Sequence, residues 1–466
     1  MITVSLDTNI KIPLYMQLYE YIRGEIENGN IKKGEKLPSK RTLSSHLKIS
    51  IITVETAYAQ LVAEGYIISK AGSGYYCDYE EETVPEDIFT EEKEKEENSE
   101  KSEILYDFCT NRIDTSDFPF SSWAKISREI LSGRSDELLN ACHAQGTLRL
   151  RKGIAEYLRH YRSMDVSPEQ IVIGAGTEYL TGLIIQLLGR DNAYGVENPG
   201  YSKVYDIFSA NTSRVFPVPV DEKGADAGAI AGFGINVIHV TPSHHFPLGI
   251  VMPISRRTEL LRWVYSGEGR YIIEDDYDSE FRYFGRPLPA IQSMDKKGRV
   301  IYINTFTKTL APSMRISYMV LPIELLQRFT GKLGFYSCTV PVFEQLTLAS
   351  FMEKGNFDRH INRMKKIYRS RRDLMIKKIS EGNLHKIVEI TGCDAGMHML
   401  LKVSNGMKQN ELVWSAARQG VKVYGLSEYY SFPVLYMPEN IVVAGFSGLL
   451  EYQIEEGIEA LERAWT

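Results

Sequence analysis

Between Tyr79 and Ser102 apolar side chains nearly vanish, and Glu and Lys take over in runs such as Glu91-Glu-Lys-Glu-Lys-Glu-Glu97. A stretch of this composition cannot bury enough apolar surface to offset the entropy of ordering it. It therefore divides the chain into a short domain over residues 8–78, a charged flexible linker over 79–103, and a large domain over 104–466. The 466 residues exceed what one hydrophobic core usually supports. Two lobes are expected in the large domain, the smaller covering roughly 360–466.

Upstream of the linker, Leu14, Leu18, Tyr21, Ile22 and Ile26 form a helical stripe that Asn28-Gly29-Asn30 closes. Ser39 is placed to cap a second helix over Lys40–Leu47, and Ser50 a third over Ile51–Glu64, with Gly65 as its stop. Two short helices meeting at a tight turn predict helix-turn-helix geometry. Tyr66 to Cys77 then reads as two small strands around Gly72-Ser-Gly74, which makes a wing. Lys32, Lys33, Lys36, Lys40, Arg41 and Lys48 give this module a local positive face able to neutralise phosphates.

The formal charge of −6 excludes wholesale coating of nucleic acid, so contact with DNA must be confined to that module. Five cysteines without Cys-x-x-Cys spacing point to neither a disulfide framework nor a zinc site. The opening Met1-Ile-Thr-Val-Ser-Leu-Asp-Thr8 lacks the basic flank and apolar core of a signal peptide, and no stretch approaches a membrane span. A cytoplasmic protein with no membrane partner is expected.

Beyond residue 104, helical patterns alternate with short apolar runs: Gln170–Gly174, Val237–Thr241, Arg270–Glu274, Val300–Asn304 and Tyr318–Leu321. Such alternation predicts an α/β fold with a buried, largely parallel sheet, ligands lying at the carboxyl ends of its strands. A smaller α+β lobe is expected from Val388–Ile390, His398–Lys402, Val421–Tyr424 and Ile441–Ala444. Thr305-Phe-Thr-Lys-Thr-Leu-Ala-Pro-Ser-Met-Arg315 has the ingredients for a phosphate-bearing aldehyde cofactor: an amine in Lys308, with Thr305, Thr307 and Arg315 to hold the phosphate. Gly174-Ala-Gly-Thr177 ends a strand and opens a helix, a ready anion site, although a glycine turn there also serves plain strand-to-helix geometry. Asp275 is placed to sit under a pyridine nitrogen and Tyr277 to offer its phenol to the ring oxygen; matching metal ligands are not evident, so no metal is expected. Opposite charges about 4 Å apart at an effective dielectric near 20 interact by about 4 kcal/mol, roughly three pKa units, so the ring would stay protonated. Tyr201, after Asn198-Pro-Gly, can supply a planar face over that ring or simply pack a loop.

Leu37-Pro-Ser-Lys-Arg-Thr-Leu43, Thr53-Val-Glu-Thr-Ala-Tyr58, Leu61-Val-Ala-Glu-Gly65 and Gly72-Ser-Gly74 resemble the GntR-family winged helix. Carried over residue by residue, Ser39 and Arg41 would meet the DNA backbone and Thr53 would read bases, with Lys40 from the basic face and Gly72 and Gly74 at the wing tip as further DNA-binding candidates. Val172-Ile-Gly-Ala-Gly-Thr177, Thr241-Pro-Ser-His244, Met252-Pro-Ile-Ser-Arg-Arg257, Ile273-Glu-Asp-Asp-Tyr-Asp-Ser-Glu-Phe281 and Arg315-Ile-Ser-Tyr318 resemble fold-type I, class I aminotransferases. The whole arrangement resembles the MocR subfamily. That resemblance implies a transcription regulator using pyridoxal 5′-phosphate (PLP), a double-stranded operator, a small-molecule effector and a head-to-tail homodimer. It makes Lys308 the cofactor lysine and the one catalytic candidate, Asp275 the pyridine partner, Tyr277 the ring-oxygen ligand and Tyr201 the stacking ring. Gly176, Thr177 and Arg315 become phosphate contacts. At most a transaminase half-reaction is implied.

Two positions depart from the family. Ile51 stands where an arginine usually contacts DNA; it cannot donate a side-chain hydrogen bond but can touch a thymine methyl. Gly445-Phe-Ser-Gly448 puts Gly448 where aminotransferases and GabR-type regulators carry the arginine that anchors a substrate carboxylate. The loss fits PdxR-type regulators, whose signal is PLP itself, unless Lys203 replaces the anchor. The alternative is an active PLP-dependent aminotransferase with an accessory DNA-binding domain, which needs the missing anchor.

Overall fold

The computed structural model describes residue 4 and residues 6–7, 12–79, 103–110, 112–133, 136–285, 288–434 and 437–466. The linker expected over 79–103 therefore lies, for 80–102, outside the described residues. The chain divides into two units, Met1–Ser99 and Glu100–Thr466.

In the first unit, α1 (Leu14–Glu27) buries Leu18, Tyr19, Ile22 and Ile26 along one face, and the chain leaves it through Gly29 at φ +72°. Helix α2 (Lys40–Leu47) opens on Ser39, whose hydroxyl accepts the Thr42 N–H at 3.2 Å. After a three-residue turn with Lys48 in the left-handed region, α3 (Ile51–Ala63) opens on Ser50, which accepts the Thr53 N–H at 3.1 Å. Strands β1 (Ile67–Lys70) and β2 (Gly74–Cys77) pair antiparallel, completing a winged helix. Leu18, Ile22, Leu43, Val54, Tyr58, Leu61 and Ile67 meet in a core of their own.

The second unit begins with β3 (Tyr106–Asp107), α4 (Phe120–Ser132) and α5 (Leu148–Arg162). Its main sheet is built from β4 (Ile171–Gly174), β5 (Tyr194–Asn198), β6 (Val215–Asp221), β7 (Gly224–Ala225), β8 (Val237–Val240), β9 (Tyr271–Asp275), β10 (Val300–Thr305) and β11 (Ser317–Val320), in the order β4-β11-β10-β9-β8-β5-β6-β7. Neighbours from β10 to β6 run parallel, while β11 opposes both β10 and β4, and β7 opposes β6. Every residue of β4, β8 and β10 is buried, because helices cover both faces. Alternation sends Ile171, Ile173 and Tyr302 into one core with α5, and Val172, Ile301 and Ile303 into another with α6 (Thr177–Leu188). Helix α7 (Ser202–Asn211) follows β5.

Strands β5 and β6 are absent from the sequence expectation. Gly195 and Glu197 interrupt the first, and Pro217 and Pro219 disguise the second.

The smaller lobe holds an antiparallel sheet, β12 (Val388–Thr391), β13 (His398–Val403), β15 (Tyr424–Gly425) and β16 (Ile441–Gly445), in the order β12-β13-β16-β15, against helices Asn356–Glu381, Gln409–Arg418 and Glu451–Trp465. The run Val421–Tyr424, expected as one strand, is split. β14 (Val421–Lys422) pairs parallel with β3, whereas β15 pairs with β16. Phe108 and Ile113 enter the small-lobe core, so the start of the large unit is sewn into this lobe. No helix among the described residues is long and apolar enough to cross a membrane.

Candidate functional site

Five strand ends supply the site. β4 delivers Gly174, after which Gly176 turns at φ +100° and α6 opens at Thr177. A Cβ on Gly176 would strike the Arg315 guanidinium and the Glu178 carboxylate, so only glycine permits this approach. β9 ends at Asp275 and leads to Tyr277, β10 ends at Thr305 and leads to Lys308, and β5 leads to Tyr201. Arg315, in the left-handed region at φ +52°, precedes β11.

A cavity of about 240 Å³ brings together Thr177, Tyr201, Asp275, Tyr277, Thr305, Thr307, Lys308 and Arg315. Gly176, the cap of α6, does not line the cavity itself but backs onto Arg315 and Glu178, which do. Lys308 is partly buried, and that burial pulls its amine down to about 8. Asp275 Oδ2 lies 3.3 Å from His239 Nε2, while its other oxygen is buried without a hydrogen-bond partner. The Tyr277 hydroxyl donates to the His244 carbonyl at 3.1 Å, and burial lifts its pKa well above the ordinary phenol value. Thr305 donates to the Thr307 hydroxyl at 2.7 Å and accepts from Ser317 at 2.8 Å, which makes a cluster of hydroxyls beside Lys308.

Several groups here escaped the sequence reading. Glu197, on unrecognised β5, accepts from the Thr241 N–H and hydroxyl at 3.0 and 2.7 Å, and burial raises its carboxyl to about 7. A carboxylate ending an apolar run was the available signal. Phe246 meets Tyr201, His398 and Tyr429 edge-on, with ring centroids 5.7, 5.2 and 5.0 Å away, and so joins the small lobe to the cavity wall. Burial lowers His245 and His398 to about 3, so both rings are neutral. Glu178 accepts hydrogen bonds from Arg315 at 2.6 Å and Lys203 at 2.5 Å. Burial opposes its ionisation, but these two cations hold its carboxyl down to about 2.

Lys203 therefore faces Glu178 at the Arg315 end of the cavity. Gly448 is not on the cavity wall; a Cβ there would lie 3.0 Å from Arg112 Cβ and 3.2 Å from its backbone oxygen.

In the small unit, the Ser39 and Ser50 hydroxyls also meet Thr42 and Thr53 hydroxyls at 2.7 and 2.8 Å. Lys40 pairs with Glu55 at 2.6 Å, whereas Arg41 is exposed. Ile51 and Ile52 are 46 % and 73 % exposed in the first turn of α3, unusual for isoleucine away from a contact surface. Gly72 and Gly74 both have positive φ at the wing tip, and Lys36 and Lys70 lie over the Tyr76 ring. The five cysteines are free, yet Cys142 and Cys338 meet at Gln345, whose amide nitrogen is 3.5 and 3.4 Å from the two sulfurs.

Residues 14–77 match the family described as bacterial regulatory proteins, gntR family, and residues 103–444 match aminotransferase class I and II. The uncharacterized HTH-type transcriptional regulator YdeL of Bacillus subtilis (strain 168) is 41 % identical over 464 residues, covering 100 % of this chain and 99 % of its own length. The probable rhizopine catabolism regulatory protein MocR of Rhizobium meliloti is 31 % identical, with 99 % of this chain and 95 % of its own covered. The pyridoxine biosynthesis regulator PdxR of Corynebacterium glutamicum is also 31 % identical, over 92 % and 91 %. Among solved structures, the multiple substrate aminotransferase from Thermococcus profundus superposes with TM-score 0.68 at 25 % identity, over 78 % of this chain and 92 % of that one.

Proposed function

The chain belongs to the MocR-type branch of the gntR family of bacterial transcription regulators, and from that premise we propose that its aminotransferase-like unit binds PLP and passes the binding state to the winged helix. The regulator reading stands over that of an aminotransferase with an accessory DNA-binding domain, because relatives covering nearly the whole chain are named HTH-type regulators.

One observation carries the cofactor assignment: Lys308, Asp275 and Arg315 converge on one cavity. The fit is chemical at each end. The buried Asp275 oxygen lacking a partner suits a protonated ring nitrogen, and the Gly176 turn with Thr177, Thr305, Thr307 and Arg315 suits a phosphate dianion. Tyr277 would face the ring oxygen, Tyr201 would cover the ring, and Lys308 would hold the aldehyde carbon. When bound, PLP supplies an electron-withdrawing ring that favours reaction with amines.

The effector is either PLP itself or an amino compound arriving at it. Beyond Lys308, the cations on the described cavity wall are Lys203 and Arg315, both paired with Glu178. That leaves no separate carboxylate anchor there and favours PLP as the signal, with vitamin B6 or amino-acid metabolism genes as targets. DNA would be held by Ser39, Lys40 and Arg41 on its backbone, read from Thr53 and the exposed Ile51, and flanked by the wing at Gly72 and Gly74. A cytoplasmic, head-to-tail homodimer completes the proposal.

The test is a PLP titration of the cofactor-free full-length protein, following the visible band of lysine-bound cofactor together with affinity for a duplex selected from random DNA. The expected result is that DNA affinity changes with the band and that Lys308→Ala abolishes both changes. A band with unchanged DNA affinity would refute PLP as the signal, and no band would refute the cofactor assignment.

A further inference from the structure

Arg315, the guanidinium suited to a phosphate, is already engaged by a carboxylate of this chain. Glu178 is the second residue of α6, and its Oε2 accepts from Arg315 Nη2 at 2.6 Å while Oε1 accepts from Lys203 Nζ at 2.5 Å. The Gly176 turn brings it there: a Cβ on that glycine would meet both the Glu178 carboxylate and the Arg315 guanidinium, so the pair lies within the anion cradle. Arg315 also reaches the Ala175 carbonyl at 3.4 Å, which fixes its guanidinium against the same turn. A phosphate dianion and a carboxylate cannot both take full charge-assisted hydrogen bonds from one Arg315 edge, and held side by side they repel.

We propose that Glu178 is an internal competitor for the phosphate of the ligand, and that Lys203 on α7 is the partner that retains its carboxylate once Arg315 is surrendered. Glu178 and Lys203 together then set affinity for phosphate-bearing ligands without affecting phosphate-free ones. This rests on the reading that the cavity takes PLP. The geometry already provides the exchange, since Glu178 holds both cations through different oxygens and can release one while keeping the other. A site weakened in this way stays partly filled over a range of free ligand concentrations, which suits a sensor better than permanent saturation does.

The experiment is a titration of the full-length, cofactor-free wild type, Glu178→Gln, Lys203→Ala and the double variant, with PLP and separately with pyridoxal, following the visible band of the lysine-bound ligand. Glu178→Gln is expected to tighten PLP binding by about tenfold, the scale of removing one partly solvated like charge a few ångströms away, and to leave pyridoxal binding unchanged. Lys203→Ala is expected to weaken PLP binding in the wild-type background and to have no such effect in the Glu178→Gln background, a coupling that mere structural damage does not produce. Glu178→Ser, which removes the carboxylate by shortening the side chain, should reproduce the gain. Unchanged or weaker PLP binding in Glu178→Gln and Glu178→Ser, or an equal gain for pyridoxal, would overturn the competitor while leaving the PLP reading intact. Absence of the band in the wild type with both ligands would overturn the PLP reading and this inference with it.

Discussion

Lys308 is set apart by the state of its amine as well as by its place. Burial lowers it from an ordinary 10.5 to about 8, because the charged form loses hydration. Only the neutral amine attacks an aldehyde, so capture of PLP by the cofactor-free protein should accelerate as pH rises and level off above about 8; stopped-flow absorbance across pH 6 to 10 reads this directly. Glu197 behaves oppositely. Its carboxyl is raised by burial from 4.5 to about 7, so the unfolded chain ionises first and stability falls as pH climbs from 4.5 to 7. Glu197→Gln should flatten that fall, worth on the order of 3 kcal/mol, in urea unfolding of the cofactor-free protein at the two pH values. The two residues also mark what could be read from sequence. Lys308, Thr305, Thr307 and Arg315 stand within eleven positions and declare a shared chemistry, whereas Glu197, Phe246 and Glu178 meet them only through strand order.

The small unit shows how far local signals reach at the level of elements. Ser39 and Ser50 each precede a helix and each accept the N–H three residues on, so both helix starts were legible. Ser39→Ala and Ser50→Ala should each cost about 1 kcal/mol, measured as a lower melting temperature of the winged helix in the full-length protein. The large sheet was legible only in part. Short apolar runs reveal β4 and β8 to β11, whereas Gly195 and Glu197 interrupt the pattern of β5 and Pro217 and Pro219 that of β6. Val421–Tyr424 looked continuous yet serves two sheets, since pairing partners more than three hundred residues upstream in one case and some twenty downstream in the other decide where it breaks.

Across the whole molecule, contacts divide the chain into Met1–Ser99 and Glu100–Thr466, with one apolar core confined to the small unit and others to the large one. Calorimetry of the full chain should therefore resolve two transitions. Leu61→Ala, emptying a fully buried position, should weaken only the small-unit transition by 2–5 kcal/mol by the usual scale, whereas added PLP should raise only the other. What no local pattern announced is where the large unit picks up the chain. Tyr106–Asp107 is bonded to Val421–Lys422, and Phe108 is buried among small-lobe residues. Residues 105–108, near the start of the large unit, are thus held by its smaller lobe, the one that also lends His398 and Tyr429 to the aromatic wall. A rigid-body shift of that lobe would therefore carry Tyr106–Phe108 with it, with no relay through the main sheet.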